Sequence, residues 1–486
     1  MLWTQSPTLY EINTFPWLDE LGRKYGRRLT LGEIPLREWD DLTALGIDAV
    51  WLMGVWERSP SSRRIALANP AQITEFKQSL PDFRPNDVIG SAYAVRRYVV
   101  DRRLGGREGL AAVRKILAER NVGLVLDFVP NHTALDHPWV NYHPEYYIHG
   151  SADDLREAPQ DFFEANGQFF ACGRDPYFPP WRDVAQVNAF SPGYRQATVE
   201  TLTQLARICD GVRCDMAMLL MTEVFQQTWG SRAGDPPPQE YWKQVIPAVR
   251  TFSPDFQFIA EAYWDKEYDL QQMGFSYCYD KKLYDSLAQR SAASVYFHLT
   301  AEMEYQEKLI RFVENHDELR AAALFDAKKE KAVALAALTL PGARMIFHGQ
   351  LQGYRTRVPV FLRRGPIEST DERLLNFYKD LLHTFENTQI MDGVWRLCES
   401  DPWVNPVLAW CWRTADRLAV IVINLSADPA QGLIWIPWND FQDSAYTWVD
   451  VFTGSRLNCS GRDMNGSSVE VNMDGWNANL FLCKLS

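Results

Sequence analysis

From residue 8 to residue 348, short apolar runs alternate with amphipathic stretches, and this alternation restricts the fold more than any other feature of the chain. The runs are TLYEI (8–12), DAVWLM (48–53), VGLVLDFV (122–129), CDGVRC (209–214), FQFIAE (256–261), FSYCY (275–279), LIRFVE (309–314) and ARMIFH (343–348). Between them lie helical patterns such as REWDDLTALG, GREGLAAVRKILAERN and KEKAVALAALTL. In AAVRKILAER the apolar positions recur every three and four residues, as one buried helix face requires. Strands that are apolar throughout are covered on both faces, which is the mark of a parallel sheet. Eight of them alternating with helices predict an α/β fold closed as a (β/α)8 TIM barrel.

Two stretches depart from that rhythm. Residues 133–185 are polar, aromatic and proline-rich (HPWVNYHPEYYIHG, GRDPYFPPWRD), too long for a simple loop, and predict an inserted subdomain after the third strand. Beyond about residue 390 come short alternating runs, VLAWCWR, RLAVIVINL, GLIWIPW, AYTWVDVF, SSVEVN and NLFLCKL. They predict an antiparallel β-sandwich. The expected organisation is a barrel from 1–132 and 186–389, an insertion at 133–185 and a C-terminal β-sandwich at 390–486.

Composition excludes several classes. With 50 basic and 62 acidic residues the net charge is −12, and no basic run is present, so a nucleic-acid partner is not expected. No apolar run reaches membrane-spanning length, so no membrane partner is expected either. The start, MLWTQSPTLYEI, has no basic n-region or apolar h-region, and the expectation is a cytoplasmic chain without a signal peptide. The eight cysteines form no CxxC pair, which argues for free thiols rather than a zinc site.

Barrel enzymes carry their chemistry at the C-terminal ends of the strands. In this chain Asp127 and His132 follow the third run, Arg213 and Asp215 the fourth, Glu261 the fifth, and His316 with Asp317 the seventh. Three carboxylates around one hollow suit glycoside hydrolysis, with a nucleophile, a proton donor and a stabilising group. In a strand, residues two apart share a face, so Arg213 and Asp215 point the same way. The guanidinium is expected to keep the Asp215 carboxyl ionised and its pKa depressed, while the donor needs a raised one. Taken alone, the pair also fits a structural ion pair at a strand end.

The segments DFVPNH, GVRCD, IAEAYW and FVENHD, in this order, resemble the four conserved regions of the alpha-amylase family, glycoside hydrolase family thirteen. GSAYAVRRYVVDRRLGG (90–106) and WRDVAQVN (181–188) are similar to two further family segments. The resemblance implies that Asp215 is the nucleophile of a retaining mechanism, Glu261 the general acid/base and Asp317 the stabiliser of the transition state. It implies that Tyr93 stacks under the sugar, that His132 and His316 bond its hydroxyls, and that Asp127 orients its neighbours. Substrate contacts are also expected from Arg213 and Trp264, the latter with Tyr263 at an acceptor subsite. No cofactor is expected; Asn131 matches a calcium-binding position of many relatives, and an asparagine in a turn is otherwise ordinary.

The segment after Asp215 is MAML, where many alpha-amylases carry a Lys-His pair, so ordinary endo specificity is not implied. Arg355, Arg357, Arg363 and Arg364 gather after the eighth run. The expected function is hydrolysis or glycosyl transfer on α-glucosidic bonds of an α-glucan or oligosaccharide. The alternatives are a catalytically silent carbohydrate-binding or scaffold relative, and a phosphorylase or isomerase of the same family, for which those arginines are the one hint of a phosphate site.

Overall fold

The computed structural model describes residue 3 and residues 6–289, 292–401, 403–466 and 468–485. Four of the first five residues, on which part of the leader reading rests, lie outside the described residues. All eight runs are strands of one closed barrel: Thr8–Asn13, Ala49–Met53, Gly123–Phe128, Gly211–Cys214, Gln257–Ala260, Tyr277–Tyr279, Leu309–Arg311 and Ala343–Phe347. Neighbours pair in parallel throughout, and the first strand closes the ring on the eighth, with Thr8 opposite Arg344.

Alternation along the strands decides what reaches the site. Ala49, Trp51 and Met53 fill the barrel interior with Leu9, Val125, Ile259, Ile310 and Met345. Val50 and Leu52 point outward into the layer under the helices, as do Leu124, Leu126 and Val212. Asp127 is two residues beyond the inward Val125, and Glu261 two beyond the inward Ile259. Each is therefore delivered to the C-terminal mouth by the period of two. Arg213 and Asp215 arrive the same way.

Two additions shape that mouth. A four-stranded antiparallel sheet, His132–Ala134, Trp181–Gln186, Gln168–Gly173 and Phe162–Ala165 in spatial order, forms the insertion after the third strand. A helical hairpin, Pro60–Ala68 and Pro70–Ser79, follows the second strand. Its helices start on clear signals. The Ser59 side chain accepts from Ser62 N and the Asn69 side chain from Ala71 N and Gln72 N, each with proline next in sequence at the first helical position. This hairpin was not among the expected insertions.

The C-terminal part is a six-stranded antiparallel sheet with a two-stranded antiparallel ladder, Ala430–Ile434 with Val469–Met473, around a core that includes Val420, Trp448 and Phe481. It is tied to the barrel where Trp410 Nε1 and Trp412 Nε1 donate to Thr339 Oγ1 and O at 3.0 and 2.7 Å. All eight cysteines are buried and free. Among the described residues no helix is long and apolar enough to cross a membrane.

Candidate active site

The site is organised around one guanidinium. Arg213 is 1% exposed, and a lone buried charge of this kind costs several kcal/mol. It is met on both sides. Nη1 donates to Asp215 Oδ1 at 2.8 Å, and Nη2 lies 2.8 Å from Glu261 Oε2, a charge contact rather than an aligned hydrogen bond. Nε donates to Tyr279 Oη at 3.3 Å, and the rings of Trp51 and Tyr93 lie 5.3 and 5.2 Å from the guanidinium carbon. The arginine is thus shared between two carboxylates instead of serving Asp215 alone. The register explains it: Arg213 pairs with Ile259 across the fourth and fifth strands, which puts Glu261 beside Asp215.

Glu261 is held by two further donors. Met216 N donates to Oε2 at 2.6 Å and Tyr263 Oη to Oε1 at 2.7 Å. Met216 directly follows Asp215 and sits in the left-handed region, φ 43°, which aims its amide at the neighbouring carboxyl. Burial raises the Glu261 carboxyl to about 7; Arg213 opposes, and Asp215 and Asp317 add to the rise. Asp215 is also raised above the ordinary aspartate value, burial outweighing the Arg213 charge and hydrogen bond. The expected depression of Asp215 is therefore corrected: one guanidinium divided between two buried acids does not offset the loss of water. Glu261 reaches the neutral range, where a carboxyl can still hold the proton a donor needs.

Asp317 lies in the cleft with its side chain 44% exposed. The protein packed around it raises its carboxyl, yet His316 and Arg213 prevail and bring it down to about 2. His316 is buried. Its Nδ1 is 2.5 Å from Glu11 Oε1, and its Nε2 is 2.6 Å from Tyr93 Oη and 3.0 Å from Asp317 Oδ2. Burial lowers this imidazole, but Asp317 and Glu11 more than reverse that, to about 10. A charged His316 with both nitrogens engaged sets the position of Tyr93 and Asp317 from behind.

These groups open onto a cleft of about 1090 Å³. Asp215, Glu261, Asp317, Tyr93 and His132 line it, together with Met216 and Tyr263. Arg213, His316 and Asp127 stand behind that wall. Asp127 accepts from Trp51 Nε1 at 3.1 Å and Gly54 N at 2.6 Å, and so fixes the second strand's end against the third. Gly54 has φ 76°, and a Cβ there would meet Arg58 Nη2 at 2.6 Å, so only glycine presents that amide. His132 is buried against Trp181, ring centroids 5.2 Å apart, and burial pushes its imidazole down to about 4, with Asp183 pulling the other way. It is the neutral histidine of the site.

Trp264 does not line the cleft; its ring meets Tyr177 edge-on at 4.8 Å, because its backbone turns through φ 61°. Tyr263 faces the cleft in its place. The unforeseen lining residues come from the hairpin (Ile65, Asn69, Gln72), from Phe178 and Asp183 of the insertion, and from Phe361. The repeated Ser-Pro and Asn-Pro helix starts at 59–60 and 69–70 were the available signal for the hairpin. Arg357 pairs with Glu75, while Arg363 and Arg364 pair with Asp87. Three of the four arginines weighed for phosphate are thus committed to carboxylates.

Asn131, at the position expected for calcium, is clasped by Gln186. Its Oδ1 and its carbonyl O both accept from Gln186 Nε2 at 3.0 Å, and its Nδ2 donates to Gln186 Oε1 at 3.3 Å. Among the described residues no group of three or more His, Cys, Asp and Glu is placed to hold a metal ion. Calcium takes about six to eight oxygens, and this neutral amide clasp does not fit it. We expect chelator to leave the thermal midpoint unchanged. Gln186→Ala, which leaves buried amide groups unpaired, is expected to cost about 1–3 kcal/mol in denaturant unfolding.

A parallel eight-stranded barrel with buried carboxylates at the C-terminal ends of its strands defines the general class of barrel enzymes. The model of the alpha-amylase catalytic domain matches residues 37–360, more than half of the chain. The chain therefore belongs to the alpha-amylase family. Alpha-amylase MalA of Haloarcula japonica is 23% identical over 452 residues, covering 88% of this chain and 56% of that protein. Alpha-amylase 3 of Dictyoglomus thermophilum is 23% identical over 281 residues, covering 52% of each. The chain spans about half the length of the curated relatives it matches. Among solved structures, the noncanonic maltogenic alpha-amylase AmyB of Thermotoga neapolitana superposes with TM-score 0.71 at 18% identity over 99% of both chains. The alpha-amylase of Geobacillus thermoleovorans, complexed with acarbose, gives 0.68 at 16% over 99% of both. At these identities the likeness speaks for the fold.

Proposed function

We propose that the protein is a retaining glycosidase or transglycosidase that cleaves α-glucosidic bonds of α-glucans or oligosaccharides through a glycosyl-enzyme on Asp215. The observation that carries this reading is the bracket of Asp215 and Glu261 around Arg213, 2.8 Å on each side, open to one cleft with Asp317. The membership in the alpha-amylase family supports it, as does the acarbose bound to one solved relative. In the first half-reaction Asp215 attacks the anomeric carbon as Glu261, protonated near neutrality, gives its proton to the leaving oxygen. In the second, Glu261 takes a proton from water or a sugar hydroxyl, which attacks the glycosyl carbon and frees Asp215. Asp317, ionised, faces the positive charge that develops on the ring. Tyr93 lies as a platform on the glycone side, and neutral His132 bonds a hydroxyl.

The silent-scaffold alternative is disfavoured because all three carboxylates reach one cleft, and the phosphorylase because three of its four arginines are paired with carboxylates. The test is the product profile on a panel of α-glucans and disaccharides, with and without added acceptor, read by NMR before mutarotation. Products released in the α configuration are expected. Release of the β anomer, or no turnover of any α-glucoside by folded protein, overturns the proposal.

A further inference from the structure

The hairpin Pro60–Ser79 is positioned by the same groups that hold the glycone half of the cleft. Ser62 Oγ donates to Asp183 Oδ2 at 2.6 Å and accepts from Ser91 N at 3.0 Å, and Ser91 Oγ accepts from Tyr93 N at 3.1 Å. Asp183 is the charge that acts on His132. Further along, Arg357 reaches both the Asp317 carbonyl O at 3.3 Å and Glu75 of the hairpin. The hairpin is therefore coupled to Tyr93, His132 and Asp317. The leaving-group side is marked instead by Glu261 with its donors Met216 and Tyr263.

On the face of the hairpin that lines the cleft, Asn69 Oδ1 is committed to capping the second helix through Ala71 N and Gln72 N. Gln72 is different. It lines the cleft, and its Oε1 is shielded from solvent without a hydrogen-bond partner. A shielded amide oxygen without a partner is unusual in a folded protein, and a rotation of the side chain toward the cleft is what brings it to a ligand hydroxyl. A primary amide offers one acceptor and two donors in one plane, the complement of vicinal sugar hydroxyls.

We propose that the hairpin Pro60–Ser79 is the wall that grips the glycone beyond the cleaved sugar, and that the Gln72 side-chain amide is a specificity-determining group that binds a hydroxyl of a glucose unit on that side. The inference rests on the proposed retaining glycosidase. It makes the length of glycone retained a property of the hairpin, and it assigns the selecting chemistry to a neutral α-glucan rather than to a charged sugar.

The experiment compares kcat/KM for a maltooligosaccharide with kcat/KM for an activated aryl α-glucoside, which brings a single sugar to the site. In Gln72→Ala this ratio is expected to fall about tenfold, the size of one neutral hydrogen bond, mainly through KM, with the product lengths from the oligosaccharide shifting. Gln72→Glu, which keeps an acceptor and loses the donors, is expected to fall between Gln72→Ala and the parent. Equal changes on both substrates, or no change in ratio and products, overturn the inference while leaving the glycosidase reading intact. Absence of turnover by the parent protein on either substrate fails the glycosidase reading, and the inference with it. An unchanged thermal midpoint confirms that each variant is folded.

Discussion

Asp215→Asn is expected to abolish the glycosyl-enzyme and to lower kcat on an α-glucan by on the order of 10⁴ or more, as the loss of a covalent nucleophile does elsewhere. The substitution keeps volume and shape and replaces an ionised oxygen by an amide that cannot attack. The protein should tolerate it. Arg213 would keep Glu261 at 2.8 Å, so no guanidinium is stranded, and one of two crowded carboxylates disappears. A second consequence follows from charge. Asp215 is one of the groups that push Glu261 up to about 7, so the Glu261 carboxyl should titrate lower in the variant. Mass spectrometry of protein quenched during turnover checks the first point, and carboxyl-resolved NMR titration the second. Near-normal turnover, or a glycosylated Asp215→Asn protein, would remove Asp215 from the role.

The eight barrel strands were legible because each is apolar on both faces, a pattern with few other uses. The acidic and histidine residues that end them were legible for the same reason: a polar residue stands out after an apolar run. What crosses between strands was not. Arg213 and Asp215 are neighbours in sequence, but the contact of Arg213 with Glu261 depends on the register of the fourth strand against the fifth. His316 was read as a sugar ligand from the resemblance of FVENHD; that its Nδ1 already meets Glu11, 305 residues away, was not legible because nothing local shows it. Trp264 was read as a substrate contact at an acceptor subsite; its edge-on contact with Tyr177 and its left-handed backbone were not legible, since neither is written in the local pattern. The hairpin at 60–79 was passed over because SRRIALANPAQITEFKQS is mixed in polarity, with helix starts written only in serine, asparagine and proline.

Glu261→Gln is expected to divide substrates by their leaving groups. A glucan, whose departing oxygen is a poor leaving group, needs the proton and should lose about 10²–10⁴ in kcat/KM, the usual worth of a general acid. An aryl α-glucoside with an acidic phenol departs without it and should lose far less in that step. The glutamine also cannot act as base in the second step, so the covalent intermediate should accumulate with the activated substrate and appear as a burst of phenol. The pH profile separates this role from a structural one. Glu261 must be protonated to give its proton, and its carboxyl is raised to about 7. The rate on glucan therefore falls as pH rises through that value. Asp215 must be ionised to attack, and burial holds it above the ordinary aspartate value, so the acid limb falls at a higher pH than a free aspartate would set. Replacing Glu261 removes the group whose ionisation makes the alkaline limb, while Asp215 and the acid limb stay. Equal losses on both substrates, or an alkaline limb near pH 7 that survives the substitution, would assign the proton to another group; Tyr263, 2.7 Å from Glu261, could not make such a limb, since burial pushes its phenol well above the ordinary tyrosine value.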